Sequence, residues 1–287
     1  MSHIPYVEHW LLGPLSILFY THVYTPPSPP LHGALVFVHG YIKYIGHYDH
    51  AHSAWASHDN QQSKISAYGK TGSPDRMLDV EWAIWVTRRQ FPDILLFLMG
   101  HSMGSSVVLG FIMQTQSPPD RETLLLLSGV IASSPFMHIT HPLPLFIQWL
   151  LGKLCKIFPN ANLSSLVQDK VGKDALKDPW VKRFGIYRGI YDMFTRGYKL
   201  MAKGYKCWPK NLPLLVLHGT EDEMGSFVNS CPATEAFFKI LQAPDKTLIL
   251  YPGAWHDLMS EPDGVKEKYM EDCMSWTESH MPKTAVT

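Results

Sequence analysis

Five residues, Gly100-His101-Ser102-Met103-Gly104, have the types and spacing to do chemistry. In G-x-S-x-G the serine can ride a strand-to-helix turn so tight that a Cβ at either glycine would strike neighbouring backbone. Such a turn pushes the hydroxyl outward, and the N-terminus of the following helix favours negative charge beside it. That is equipment for nucleophilic attack on a carbonyl. The five letters alone would arise by chance in roughly one chain in ten of this length, and an ordinary glycine-rich turn can carry them. Context discriminates. Residues 94–99 (ILLFLM) form an apolar run of strand length, and residues 105–113 (SSVVLGFIM) are small and apolar, as a buried helix would be.

A serine needs a base, and the base needs an orienting group. Residues 213–217 (PLLVL) run into His218-Gly219-Thr220-Glu221-Asp222, which puts Asp222 on a loop at a strand's C-terminal end. Residues 247–251 (TLILY) run into Pro252-Gly253-Ala254-Trp255-His256-Asp257, which puts His256 on the loop after the last strand. Ser102, Asp222 and His256 follow in the chain order of α/β hydrolases. A lone histidine means little in a chain with 15 of them; position and order single out His256. Glu221 stands beside Asp222 as the other candidate acid. The oxyanion donors expected are the backbone N–H of Met103 and that of Tyr41, which follows His39-Gly40 at the end of another strand. His101 reads as a packing and positioning residue rather than a second base.

The elements that must hold these groups are legible as alternating periods. Residues 34–38, 94–99, 128–133, 213–217 and 247–251 read as buried parallel strands, and 75–89, 103–115, 232–242 and 264–280 as helices. Strands alternating with helices predict an α/β domain with a mostly parallel sheet. Residues 15–24, entered through Gly13-Pro14, suit an antiparallel hairpin at the sheet edge. Residues 136–210 break the alternation and read as a helical insertion, leaving 1–135 and 211–287 as the core. Residues 26–30 (PPSPP) are a short stiff linker.

Composition narrows the function classes. The chain has 287 residues, 46% hydrophobic and 17% charged, with 25 basic against 25 acidic side chains. That excludes a disordered polymer, and zero net charge gives no long-range attraction for nucleic acid. Four scattered cysteines make no disulfide scaffold and point to a reducing compartment. No signal peptide is legible and no apolar run reaches membrane-spanning length, so a cytoplasmic protein that is not secreted is expected. His47-x-x-His50-x-His52 offers a metal reading, but no cysteine or carboxylate pattern accompanies it.

GHSMG (100–104), the His39-Gly40-Tyr41 turn, HGTED (218–222) and GAWH (253–256) together resemble the monoacylglycerol lipase and lysophospholipase family, most like its fungal members. The resemblance runs from about Tyr6 to Met281 and takes in residues 66–84 and 128–135. It implies an α/β-hydrolase fold with a helical cap at 136–210. It also implies a serine hydrolase that releases fatty acid from monoacylglycerol without metal or cofactor. Its implied partners are a lipid substrate and, through the cap, the surface of lipid droplets or endoplasmic reticulum. The apolar stretch 143–158 would suit a lid resting on lipid, or equally a buried cap core.

Two departures qualify that resemblance. Where the family has an apolar strand and a D-x-R-G-x-G loop, residues 48–56 pass directly into SHDNQQSKISAYGK (57–70), and roughly twenty residues are absent after Ala56 against the family pattern. A missing central strand is therefore expected, with one edge of the 34–38 strand left open and the chain less stable than its relatives. At the head-group end, the family's Glu, His and Arg-Tyr are replaced by Lys43, Tyr44 and His47-Tyr48, and its second histidine by Met259. A pocket that loses hydrogen-bonding partners loses discrimination, which leaves glycerol selectivity open. The alternatives are a lysophospholipase, general carboxylesterase, thioesterase or acyltransferase and, from another class, a catalytically impaired remnant lacking a core strand.

Overall fold

The computed structural model describes residues 6–26, 31–41, 43–56, 60–64, 72–115, 118–137, 145–164, 184–222 and 231–282. The linker 26–30, the segment 66–84 and the stretch 143–158 fall partly outside them. In chain order the strands are β1 (Tyr6–Leu12), β2 (Leu18–Tyr24), β3 (Gly33–Val38), β4 (Asn60–Lys64), β5 (Leu95–His101), β6 (Gly129–Ser133), β7 (Asn162–Ser164), β8 (Phe184–Ile186), β9 (Leu214–Gly219) and β10 (Lys246–Tyr251). The helices are α1 (Asp49–Ala56), α2 (Ser73–Gln90), α3 (Met103–Met113), α4 (Arg121–Leu125), α5 (Leu145–Ile157), α6 (Tyr187–Ala202), α7 (Cys231–Ile240) and α8 (Val265–Ser279).

Eight strands form one sheet in the order β1-β2-β4-β3-β5-β6-β9-β10. Only β2 runs against the rest, being antiparallel to both β1 and β4. The central strands read as continuous apolar runs because both faces are covered. Ala34, Val36, Leu96, Leu98, Val130, Ala132, Leu214 and Val216 face one core with α2, α3 and α7. The alternate residues Leu35, Phe37, Phe97, Met99, Ile131, Leu215 and Leu217 face another with α1 and α8. The period of two along each strand divides the core into these two layers.

The expectation of a missing central strand is corrected. β4, with the sequence NQQSK, lies between β2 and β3. It pairs in parallel with β3 from Gly33↔Asn60 to Phe37↔Lys64 and meets β2 at Val23↔Ser63 and Tyr24↔Gln62. Backbone pairing does not require apolar side chains, and the open edge of β3 supplies the donors and acceptors a short polar run can use. The edge hairpin also starts earlier than expected. β1 precedes Gly13-Pro14, the turn occupies 13–17, and only β2 falls within 15–24.

Between β6 and β9 lie α5, the small β7–β8 pair and α6. α6 reaches back to the first turn of α2. The Ser73 backbone N–H donates to Asp192 Oδ2 at 2.6 Å, Arg196 donates to Ser73 Oγ at 2.5 Å, and Arg188 lies 3.4 Å from Asp75. Residues 188, 192 and 196 recur every four positions, so one face of α6 makes all three contacts. The Arg196 stem lies over Gly110 of α3, where an added Cβ would sit 3.0 Å from it. This fixes α6 over the helix that follows Ser102.

Candidate active site

The turn between β5 and α3 has the geometry that its two glycines permit. Ser102 adopts φ 57°, ψ −121°, in the positive-φ region that a side chain seldom enters. A Cβ on Gly104 would lie 2.0 Å from the Val38 carbonyl oxygen, and one on Gly100 would lie 2.5 Å from the Gly104 carbonyl. The end of β3 and the start of α3 are therefore in backbone contact. Around the bend, the Ser102 N–H donates to Ser133 O at 2.8 Å, and Ser105 Oγ lies 2.6 Å from Gly100 O and 2.7 Å from Ser133 O. All of α3 is buried, so the turn cannot relax by swinging the helix outward. Gly104→Val should therefore lower stability by more than about 3 kcal/mol, because the clash is with backbone. Thermal melting of the variant checks this; a melting temperature within a degree or two of the parent contradicts it.

Two strand-end loops bring the other groups to Ser102. Nε2 of His256 lies 2.7 Å from Ser102 Oγ, and Nδ1 of His256 lies 2.8 Å from Asp222 Oδ2. The Asp222 side chain is fully buried and that of His256 is 14% exposed. Glu221 is exposed, its N–H donating to Ala254 O at 3.0 Å, so of the two candidate acids only Asp222 meets the histidine. Gly219 permits this approach, since a Cβ there would lie 2.2 Å from the Trp255 carbonyl oxygen. His218, which the sequence reading did not single out, puts Nε2 2.9 Å from the same Asp222 oxygen. Its signal was a polar residue closing an apolar strand. Burial works to raise the Asp222 pKa, but His256 and His218 outweigh it and hold the carboxyl well below the usual range.

The His101 ring has its centroid 5.1 Å from that of His256 and its Nδ1 3.4 Å from Ser133 Oγ. Burial pulls its pKa down to about 3. It therefore stays neutral wherever His256 works, as a packing residue must. The unfolded chain, with an ordinary histidine pKa near ~6.5, binds a proton between about pH 6.5 and 3 that the folded chain refuses. Stability thus falls as pH drops through that window and levels off above it. His101→Asn should flatten the acid limb by about one proton, or ~1.4 kcal/mol per pH unit. Denaturation at a series of pH values reads this directly; an unchanged slope contradicts it.

Met103 begins α3, where a helix leaves its first N–H groups without intrahelical partners. Tyr41 follows Gly40, whose added Cβ would lie 3.2 Å from Ser102 Cβ, so the loop after β3 passes close to the serine. Met103, Phe136 and Met193 form a small apolar cluster with Tyr41 and Phe194 packed against it. Apolar surface from α6 therefore lies beside the turn.

Of the substituted head-group positions, Met259 is 1% exposed and packs in the core with Leu258 and Met270. Lys43 and His47 approach Asp257, at 3.3 and 3.4 Å from its Oδ2. The three histidines of the metal reading go separate ways. His47 meets Asp257, His50 meets the Met259 carbonyl oxygen at 2.7 Å, and His52 is buried against Phe37 and Tyr24. Among the described residues no group of three or more His, Cys, Asp or Glu could hold a metal ion.

Comparison with known proteins places the chain among hydrolases. The monoglyceride lipase of Saccharomyces cerevisiae is 30% identical over 203 residues, covering 65% of this chain and 61% of that relative, so the match spans less than two thirds of the yeast protein. The monoacylglycerol lipase of Mycolicibacterium smegmatis is 24% identical over 290 residues, covering 96% of this chain and 98% of the relative. In fold, a soluble variant of the S. cerevisiae enzyme in complex with a substrate analogue superposes with TM-score 0.75 at 22% identity, covering 96% of this chain and 97% of that one. The serine aminopeptidase S33 family profile matches residues 29–263, most of the chain. The chain belongs to the serine aminopeptidase S33 family and has the α/β-hydrolase fold of its ester hydrolases.

Proposed function

We propose that the chain is an acylglycerol lipase that cleaves the acyl ester of monoacylglycerol to fatty acid and glycerol through an acyl-enzyme on Ser102. The observation that carries this is the continuous relay from Ser102 Oγ to His256 Nε2 at 2.7 Å and from His256 Nδ1 to Asp222 at 2.8 Å. Ser102 Oγ attacks the ester carbonyl carbon while His256 Nε2 takes its proton. The carbonyl oxygen becomes an oxyanion held by the backbone N–H groups of Tyr41 and Met103. Collapse of the intermediate expels the glycerol oxygen, to which His256 returns the proton. Water then repeats the sequence on the acyl-enzyme, and Asp222 orients and stabilises the imidazolium in both halves.

Residues 136–210 act as the cap over a core of 1–135 and 211–287. The apolar cluster of Met103, Phe136 and Met193 supplies the start of an acyl channel. α5 presents Phe146 at 69% and Trp149 at 58% exposure, with Lys153 over the Trp149 ring. An exposed apolar helix face edged by lysine suits peripheral contact with a lipid surface. None of the described helices is long and apolar enough to cross a membrane. The remnant reading rested on a missing strand, and β4 removes that premise.

Release of glycerol from monoolein, followed with and without Ser102→Ala, tests the reaction. The cap assignment has its own test. Phe146→Asp with Trp149→Asp should lower turnover of monoolein in vesicles about tenfold or more and leave hydrolysis of a water-soluble short-chain ester near the parent rate. Equal losses on both substrates contradict it.

A further inference from the structure

A polar cluster joins the two loops that the reaction needs held together. Asp257 directly follows His256, while Lys43 and His47 lie just beyond Tyr41, whose N–H is one of the two oxyanion donors assigned above. Lys43 Nζ is 3.3 Å from Asp257 Oδ2 and His47 Nε2 is 3.4 Å from the same oxygen. Lys43 and His47 also touch each other. A further bond ties the same segments, from His50 Nε2 to the Met259 carbonyl oxygen at 2.7 Å. These contacts span 209 to 214 residues of sequence. They are not surface decoration, since Lys43 is only 8% exposed.

We infer that Asp257, clamped by Lys43 and His47, is a positioning residue that fixes the His256 loop against the loop carrying the Tyr41 oxyanion donor. The inference rests on the roles assigned to Ser102, Asp222 and His256. Its physical basis is that a buried cation and a largely covered carboxylate, whose side chain is 20% exposed, lose water on folding and recover that loss best in one mutual geometry. The chain on either side has little freedom, because the backbone N–H of Gly40 lies 3.4 Å from the Tyr48 hydroxyl and Ala254 N–H donates to Tyr251 O at 3.2 Å. Burial lowers the Lys43 pKa and Asp257 opposes that, while the His47 hydrogen bond and the Lys43 charge outweigh burial to keep the Asp257 carboxyl ionised. A base displaced by a fraction of an ångström from the serine and the developing oxyanion loses rate without losing substrate. The replacement of the family's Glu and Arg by Lys43 and His47 thus acquires a use. With Asp257 they serve the base rather than the glycerol.

The test measures kcat and KM on monoolein at 20 °C, with thermal melting, for Asp257→Asn, Lys43→Met, the double variant and Asp257→Glu. Asp257→Asn and Lys43→Met should each lower kcat about ten- to a hundredfold with KM changed less than about threefold. The double variant leaves no orphaned charge, so it remains folded where a single variant fails. Its loss should match the larger single loss rather than the product of the two. Asp257→Glu, which keeps the carboxylate, should recover most of kcat. The inference is overturned by a folded Asp257→Asn or double variant with kcat within twofold of the parent, by single losses that multiply, or by a loss confined to KM. Ser102→Ala run beside these separates the two failures. If it keeps the parent rate, the catalytic assignment falls; if it is inactive while the Asp257 variants are normal, only the positioning role falls.

Discussion

Ser102→Ala should reduce hydrolysis of monoolein by about 10⁴- to 10⁶-fold and abolish labelling by a fluorophosphonate probe. The loss is large because Ser102 Oγ forms the new bond in the proposed reaction and is the only hydroxyl described at 2.7 Å from His256 Nε2. The serine hydroxyl is not what holds the turn. Its backbone N–H bonds Ser133, and the bracing side chain is that of Ser105. Alanine at 102 should therefore leave the melting temperature unchanged or raise it slightly, since one polar group is removed from a crowded bend at positive φ. A variant that melts normally and turns over normally would dismiss Ser102 as nucleophile. One that does not fold would show that the bend depends on more than backbone.

The second large effect is expected at Asp222, the proposed orienting acid. Asp222→Asn should lower kcat by about 10⁴-fold with little change in KM. A carboxylate accepts from His256 Nδ1 and leaves Nε2 free to take the serine proton, whereas an amide can turn its donor toward the ring and favour the wrong tautomer. His218, 2.9 Å from the same oxygen, gives the carboxylate a second partner, so the charge lost in Asp222→Asn had been stabilised from two sides. Because the Asp222 carboxyl is held far below its ordinary value, it stays ionised across the working pH range. An acid limb in the pH–rate profile therefore reports a group other than Asp222. Steady-state kinetics of the asparagine variant from pH 5 to 9 would check both points. A loss smaller than tenfold contradicts the assignment.

The sequence disclosed the parts of the fold that bury apolar side chains on both faces. β3, β5, β6, β9 and β10 each begin and end within two residues of an apolar run, because a strand covered by helices has no reason to alternate. Asp222 and His256 could be placed because both follow such strands, and the glycines around Ser102 could be read as steric necessities. The strands that stayed hidden lack the contrast of a buried apolar run. β4 is NQQSK, held by backbone bonds to β3 and β2, and a reading of hydrophobic period passes over it. β1 escaped for a related reason. It is a strand at the sheet edge, and its apolar Trp10 and Leu12 stand largely exposed instead of facing a core. The partnership of Lys43 with Asp257 lay beyond sequence reading altogether, since nothing local in either loop announces a contact across 214 residues.

The most direct measurement is mass spectrometry of the protein quenched during turnover of monoolein, with the acyl group mapped to a peptide. The relay of Ser102, His256 and Asp222 predicts a transient oleoyl ester on Ser102, formed with release of glycerol and lost as fatty acid appears. Rapid fatty-acid release with no acylated peptide, or with the acyl group on another residue, would contradict it.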